Sequence, residues 1–178
     1  IQARMQLEYL KMVTDCREVL VLGRNKEKIS KYIEDMKSHG FKINVASNSR
    51  ELCKNSNLII TTTNANESLI QKDDIKEGTH ITAMGSDTPE KRELDPEILN
   101  VADAVVVDSI PQCLERGETK NALDRNLLKE KDLIEIGTII DSGKKLRKNN
   151  NEITVADLTG VAVQDIMITN AVYEQLIK

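Results

Sequence analysis

The sequence predicts an α/β protein with a doubly wound, twisted parallel sheet and flanking helices. Two observations support this prediction: short runs of branched aliphatic residues recur along the chain, and amphipathic segments separate them. Aromatic residues make up only 2% of the chain, with no Trp and one Phe. A core of Ile, Leu, Val and Ala is typical of buried parallel strands packed under helices, and alternating strands and helices imply right-handed crossovers.

Five apolar runs are predicted strands. Each consists mostly of branched or small aliphatic residues without strict alternation, which indicates strands that are covered on both faces. The predicted strands are residues 19–22, 43–46, 58–62, 81–84 and 104–107.

The first connection is a predicted amphipathic helix over residues 25–39. Ile29, Ile33 and Met36 recur there at helical spacing, and Gly40 follows as a stop.

The other connections contain shorter predicted helices. Residues 49–55 form one, with Ser49 as its N-cap, and Asp95, Pro96 and Glu97 mark the start of another. Further helical segments are predicted at residues 110–115, 121–128, 133–141 and 161–176, with a polar loop at 144–151 and a short segment at 153–156.

The chain opens inside a predicted helix, because Ala3, Leu7, Leu10 and Val13 recur at helical spacing. A doubly wound sheet normally begins with a strand and a phosphate-binding turn. We therefore expect this sequence to be a fragment of a longer protein.

Charge and hydropathy argue against several functional classes. The formal net charge is −4 and no long basic run occurs, so no nucleic-acid partner is expected. No stretch approaches the ~20 apolar residues that cross a bilayer, and no secretory leader is visible. The expectation is a cytoplasmic protein without a membrane partner.

Cysteine and histidine usage predicts no metal site. Cys16, Cys53 and Cys113 are odd in number and widely spaced, which indicates reduced, mostly buried thiols. His39 and His80 lie far apart and have no Cys or His at ligand spacing.

The end of the first predicted strand is a candidate cofactor site. Enzymes that use NAD usually place Asp or Glu there to bind the ribose hydroxyls, whereas a ribose 2′-phosphate prefers a guanidinium and small polar groups. The sequence offers Gly23, Arg24 and Asn25, with Lys28 one turn later. By itself this pattern is as typical of a solvated cationic turn as of a cofactor site. If it is a cofactor site, the expected cofactor is NADP or NAD, with NADP slightly favoured.

The segment after the fourth predicted strand carries the most chemistry. Met84 ends the strand, Gly85 permits close backbone approach, and Ser86 and Asp87 lie at the carboxyl edge of the sheet, where ligands bind in such folds. Asp87 has the chemistry of a general acid or base, and Lys91 that of an anion or carbonyl contact. The alternative is an Asx turn leading into the Thr-Pro that follows.

Two other segments offer small polar groups. Thr62 and Thr63 close the third predicted strand, where they are candidate cofactor contacts or simply part of a polar loop. Thr159 and Gly160 form a turn that feeds the last helix, and alone this turn indicates only a helix start.

Together these segments resemble the ornithine cyclodeaminase and mu-crystallin family, which includes an archaeal type of alanine dehydrogenase and ketimine or pyrroline-2-carboxylate reductases. The resemblance spans essentially the whole chain, and GSDTPEKREL followed by GVAVQD is its specific part. The matching stretches are IQAR, VLGRNKEK, TTTN, GTHITAMGSDTPEKRELDPEIL, ADAVVVDS and DLTGVAVQD.

The resemblance implies roles for the candidate residues. It places the family's catalytic aspartate, which would also contact the substrate, at Asp87, and a cofactor contact at Lys91. The other implied contacts are Gly23, Arg24 and Asn25 at the adenosine ribose, Thr63 on the cofactor, Met84, Gly85 and Ser86 at the nicotinamide, and Thr159 and Gly160 at the nicotinamide and substrate pocket.

The sequence also departs from the family pattern. In the family, IQAR follows a glycine-rich turn and an N-terminal region that supplies substrate-binding Arg and Lys groups and most of the dimer contact. Leu158 stands where several members have Ser.

These departures define the expected domains. We expect residues 1–155 to be a Rossmann-like NAD(P)-binding domain whose first strand and glycine-rich turn lie upstream. Residues 156–178 are expected to form a C-terminal helix that packs toward a substrate and dimerisation domain. By itself the fragment is expected to be inactive, and the full-length protein is expected to be a homodimer.

The leading functional hypothesis is the NAD(P)-binding part of an amino-acid or imine oxidoreductase or cyclodeaminase. Its substrate would be a small amino acid or cyclic imine, with hydride transfer at Cα and Asp87 as general acid or base. The alternative is a non-catalytic NADP(H) or small-ligand binder of the mu-crystallin type. A pure binder needs no proton carrier, so Asp87 favours the enzyme.

Overall fold

The structure is a computed structural model that describes residues 1–177. The strands are β1 (Glu18–Val21), β2 (Lys42–Val45), β3 (Leu58–Thr61), β4 (His80–Ala83), β5 (Ala104–Val107), β6 (Leu133–Glu135) and β7 (Thr154–Asp157). The helices are α1 (Gln2–Leu10), α2 (Lys26–Met36), α3 (Ser49–Asn55), α4 (Glu97–Val101), α5 (Ile110–Cys113), α6 (Gly117–Asp124), α7 (Ile136–Ser142) and α8 (Ala162–Leu176).

All strand pairs are parallel, and the strands form two sheets. β1 pairs with β2, and the other five strands are arranged in the order β3-β4-β7-β5-β6. The predicted parallel α/β class with flanking helices is confirmed. The expected single sheet is divided, because β1 and β3 are not paired with each other.

The main core lies on one face of the five-stranded sheet. Ile81, Val155 and Val107 on three adjacent strands are completely buried, and they belong to the same cluster as Ile98 and Leu99 of α4. A smaller cluster of Leu7, Met36 and Phe41 lies around α1, α2 and the start of β2. The core is therefore aliphatic, as the composition predicts.

Burial of the first two strands differs from the prediction. In β2 all residues but Ile43 are exposed, and Val45 is 52% exposed. The expectation that every strand is covered on both faces is wrong here, because a run of branched residues reports β propensity as well as burial. The apolar residues of α8 are exposed as well.

The helix predicted over residues 25–39 is confirmed. α2 continues into a 3-10 turn, Lys37–His39, and Gly40 follows with φ of 81°. In α3 the N-cap is Asn48 and not Ser49, because the Asn48 side chain accepts a hydrogen bond from the Glu51 N–H.

Residues 133–141 are not one helix. Leu133–Glu135 pair with β5 as strand β6, and α7 begins only at Ile136. Pairing with a distant strand overrides the local helical pattern.

The cysteines occupy different environments. Cys53 and Cys113 are buried and Cys16 is exposed, all as free thiols. Burial, with added repulsion from Asp157 and Asp108, raises the pKa of Cys113 to about 12, so this thiol is protonated at neutral pH. None of the helices in the described part of the chain is long and apolar enough to cross a membrane.

Candidate active site

The carboxyl ends of four parallel strands form one edge of the five-stranded sheet. Their last residues lie in register across it: Thr61 pairs with Ala83, Ala83 with Asp157, and Asp157 with Val107. The segments that follow therefore emerge side by side, which is where ligands bind in open parallel sheets. They contain Thr62 and Thr63, Met84 to Asp87, Thr159 and Gly160, and Asp108.

Asp87 and Lys91 form an ion pair above β4. Oδ1 of Asp87 lies 2.5 Å from Nζ of Lys91, and the same ammonium donates to Oδ1 of Asn64 at 3.2 Å. The Asp87 side chain is 54% exposed and the Lys91 side chain 21%. A carboxylate accessible to a ligand thus lies beside a largely buried cation, and Lys91 links the segments that follow β3 and β4.

Ser86 closes the turn that carries this ion pair. Its hydroxyl donates to the Lys91 carbonyl oxygen at 2.6 Å, and the residue is 2% exposed. Because Ser86 and Asp87 both bind residue 91, the turn is fixed by its own side chains.

Gly85 lies where two segments of the chain come together. A Cβ added there would be 2.1 Å from the Thr63 carbonyl oxygen and 2.5 Å from the Glu93 carboxylate. The predicted close backbone approach is present, and its partner is the chain itself. Glu93, which the sequence analysis did not single out, accepts hydrogen bonds from the N–H groups of Thr63 at 2.5 Å and Gly85 at 2.8 Å.

Asp108 and Gln112 fix the turn at Thr159 and Gly160. Asp108 accepts from the Gly160 N–H at 2.7 Å and from the Thr159 hydroxyl at 3.2 Å. Gln112 Nε2 donates to the Thr159 hydroxyl oxygen at 2.5 Å and to the Gly160 carbonyl at 2.6 Å. The sequence analysis missed both residues, although an acidic residue directly after a strand was a usable signal for Asp108.

The predicted ribose contacts lie apart from the other candidate residues. Gly23, Arg24 and Asn25 follow β1, which belongs to the two-stranded sheet, and all three are exposed. Asn25 Oδ1 caps α2 by accepting from the Lys28 N–H at 2.9 Å. Within residues 1–177, no hydrogen bond or ion pair connects these three residues to the segments after β3, β4 or β7.

The whole chain, residues 1–178, matches the model of the ornithine cyclodeaminase/mu-crystallin family. The chain belongs to this family. It is 34% identical over 174 residues to the alanine dehydrogenase of Archaeoglobus fulgidus, an alignment that covers 97% of this chain and 53% of that protein. The resemblance that the sequence motifs indicated is thereby confirmed.

Two solved structures of family members have the same fold. An archaeal alanine dehydrogenase dimer with bound NAD superimposes with a TM-score of 0.91 at 33% identity, covering 99% of this chain and 54% of that one. The Δ1-pyrroline-2-carboxylate reductase of Thermococcus litoralis, solved with NADH and L-proline, gives 0.90 at 29% identity, covering 99% and 55%. This chain thus spans about half the length of the curated relatives it matches.

Proposed function

We propose that this chain is the NAD(P)-binding part of an amino-acid or imine oxidoreductase or cyclodeaminase. The observation that supports this most directly is the Asp87–Lys91 ion pair, at the strand edge where ligands bind in such folds. Membership in a family with NAD-bound dehydrogenases and reductases supports the same assignment.

The candidate residues fit a dinucleotide. Arg24 is an exposed guanidinium at the end of a strand, and in the described part of the chain no carboxylate forms an ion pair with it. Gly160 has φ of 86° and no atom within 4 Å of the position that a Cβ would take. We assign the ribose end to Arg24 and the nicotinamide end to the turns at Gly85 and Gly160.

Asp87 is the proposed proton carrier. When bound, the nicotinamide supplies the chemistry of accepting hydride from the substrate Cα or returning it. A substrate ammonium group must lose a proton before its nitrogen lone pair can form the C=N bond, and the proposed acceptor of that proton is the Asp87 carboxylate. In the reducing direction Asp87 returns the proton to nitrogen. Lys91 orients the carboxylate, because its ammonium binds Oδ1.

We further propose that residues outside this chain complete the molecule. β1 and β3 each have an edge without a partner strand among the described residues, and we propose that another strand, followed by a glycine-rich turn, pairs with them. Within the expected C-terminal segment, residues 156–178, Ala156 and Asp157 belong to β7. We propose that α8 packs against a substrate and dimerisation domain, because Met167, Tyr173 and Leu176 are 62–79% exposed. The archaeal alanine dehydrogenase is a dimer, and we propose the same for the full-length protein.

Binding and turnover by the full-length protein test this function. NADH and NADPH are titrated by their own fluorescence, and oxidation or reduction is measured with L-alanine, L-ornithine and Δ1-pyrroline-2-carboxylate. We expect cofactor binding and turnover of at least one of these compounds. Absence of cofactor binding would contradict the proposal. Binding without turnover would instead support the non-catalytic alternative.

A further inference from the structure

Three buried carboxylates connect β7 to the proposed active site. Glu93 is completely buried, and Glu118 and Asp157 are each 1% exposed. None of them forms an ion pair with a Lys, Arg or His side chain among the described residues. Since burying a carboxyl group, charged or neutral, without hydrogen-bond partners is costly, these three groups need hydrogen bonds from elsewhere in the chain.

The hydrogen bonds come from backbone N–H groups, and they form a series. Asp157, the last residue of β7, accepts from the Thr119 N–H at 2.7 Å in the first turn of α6. The neighbouring Glu118 accepts from the N–H groups of Glu93 at 2.7 Å and Leu94 at 3.1 Å. Glu93 in turn accepts from Thr63 and Gly85. Asp157 thus fixes the backbone next to Glu118, and Glu118 fixes the backbone at Glu93.

Glycines stand at both ends of this series. A Cβ on Gly117, whose φ is 89°, would be 2.6 Å from an Asp157 carboxylate oxygen, and a Cβ on Gly85 would be 2.5 Å from the Glu93 carboxylate. Only a residue without a side chain allows the backbone to come this close. A side chain at Gly117 would therefore overlap with the Asp157 carboxyl group, and a side chain at Gly85 with that of Glu93.

We propose that Glu93 is a positioning residue that sets the spacing between the segments after β3 and β4. One carboxylate oxygen binds Thr63, a proposed cofactor contact, and the other binds Gly85, two residues before Asp87. Glu118 and Asp157 position Glu93 itself through its backbone N–H and through α6. The assignment rests on the proposed function, because the two segments matter as parts of a cofactor and proton-transfer site.

The geometry requires a carboxylate. Both oxygens of Glu93 act as acceptors, whereas a glutamine has one acceptor and one donor. Glu93→Gln therefore leaves either Thr63 or Gly85 without its hydrogen bond and places an NH₂ group against a backbone N–H. Glu93→Asp keeps both acceptors on a shorter side chain, so it should reach the two N–H groups less well and give an intermediate result.

Amide hydrogen exchange and cofactor affinity test the proposal in the full-length protein. In Glu93→Gln we expect faster exchange at Thr63 or Gly85. Exchange at Leu69 and Ile70 should not change, because these amides bind the backbone carbonyl of Glu93, at 2.7 and 3.1 Å. The NADH or NADPH Kd should rise by ~10-fold or more, because losing one hydrogen bond to a charged group makes the binding-competent arrangement less populated by about that factor. Glu90→Gln is the matched control, because Glu90 is an exposed carboxylate in the same segment.

The outcomes separate this proposal from the proposed function. If the wild-type protein binds no cofactor, the proposed function fails, while the exchange data still report on Glu93. If the wild type binds cofactor and Glu93→Gln lowers only Tm, with unchanged Kd and kcat below the melting range, Glu93 is merely structural and this proposal is wrong. Where Glu93→Gln does not fold, Glu93→Asp carries the same comparison.

Discussion

The ammonium of Lys91 binds Oδ1 of Asp87 at 2.5 Å, while the Lys91 carbonyl accepts a hydrogen bond from Ser86 at 2.6 Å. One residue thus orients the proposed proton carrier with its side chain and closes the turn below it with its backbone. The orientation of the Asp87 side chain thus depends on contacts within residues 86–91. Substitutions that keep this turn intact should separate proton transfer from cofactor binding.

Asp87→Asn is the first such substitution. Asn is nearly isosteric with Asp and its carbonyl oxygen still accepts a hydrogen bond from Lys91, so cofactor affinity should stay near wild type. Turnover by the full-length protein should fall by at least ~10²-fold, the usual scale of a lost general acid or base. Steady-state kinetics and fluorescence titration of the cofactor measure the two quantities. Unchanged turnover would show that Asp87 is only a turn residue.

Gly85→Ala tests the contact between the segments after β3 and β4. The new methyl group would clash with the Thr63 carbonyl and the Glu93 carboxylate, and the carboxylate cannot move without breaking its hydrogen bonds to Thr63 and Gly85. We expect a loss of about 1–3 kcal/mol or more in the free energy of unfolding, the range of overpacked sites, together with weaker cofactor binding.

Gly137→Ala is the matched control for this substitution. Gly137 lies in α7 with no atom within 4 Å of the position of an added Cβ, and alanine favours helix. Denaturant unfolding should show a neutral or stabilising effect there. Equal stability of Gly85→Ala and Gly137→Ala would mean that the segment contact is not tight.

The parts of the site that the sequence predicted depend on local contacts or on strand ends. Ser86, Asp87 and Lys91 contact one another within a few residues, and the parallel strands align their carboxyl ends by topology alone. Family resemblance added their roles. The contacts within residues 86–91 and the position of the strand ends can both be predicted from one sequence, because neither depends on which distant residues pair.

The parts that the sequence missed depend on distant backbone groups. Glu93 binds the N–H of Thr63, 30 positions away, and Asp157 binds that of Thr119, 38 positions away. A peptide N–H is the same in every residue, so nothing in the sequence marks it as the partner of a carboxylate. Strand β6 was missed for a related reason, since its three residues become a strand only through pairing with β5.

Stability should decrease as the pH rises, because two buried carboxyl groups resist ionisation. Burial raises the pKa of Glu118 to about 8 from its ordinary value of 4.5, and that of Asp157 to about 6 from 3.8. The Asp157 and Glu93 carboxylates add to the effect at Glu118, while backbone N–H donors oppose it. A carboxyl whose pKa is raised by folding stabilises the native state below its unfolded pKa, and this contribution is lost as the pH rises through the folded value.

The two carboxyl groups predict different pH ranges. Tm of the wild type should fall between about pH 4 and 8. Glu118→Gln should flatten the range from about 5 to 8, and Asp157→Asn the range from about 4 to 6. Thermal melts at half-unit intervals measure both slopes, with Glu90→Gln expected to follow the wild type. A Glu118→Gln profile parallel to that of the wild type would rule out a raised Glu118 pKa.

The last prediction concerns the choice of cofactor. In the full-length protein, NADP(H) should bind at least as well as NAD(H), because Arg24 is an exposed guanidinium and the two residues that follow it are not acidic. Charge-assisted hydrogen bonds to a 2′-phosphate contribute ~1.5–3 kcal/mol. The two solved relatives contain NAD or NADH, so the predicted preference rests on Arg24 of this chain.

The preference is measured by the dissociation constants of both cofactors for the wild type, Arg24→Ala and Lys37→Ala. Lys37→Ala is the control, because Lys37 is an exposed cation beyond the other end of α2. Arg24→Ala should weaken the binding of NADPH more than that of NADH, and Lys37→Ala should leave the ratio of the two dissociation constants unchanged. If the wild type prefers NADH by tenfold or more, or Arg24→Ala leaves the ratio as it was, Arg24 belongs to a solvated turn.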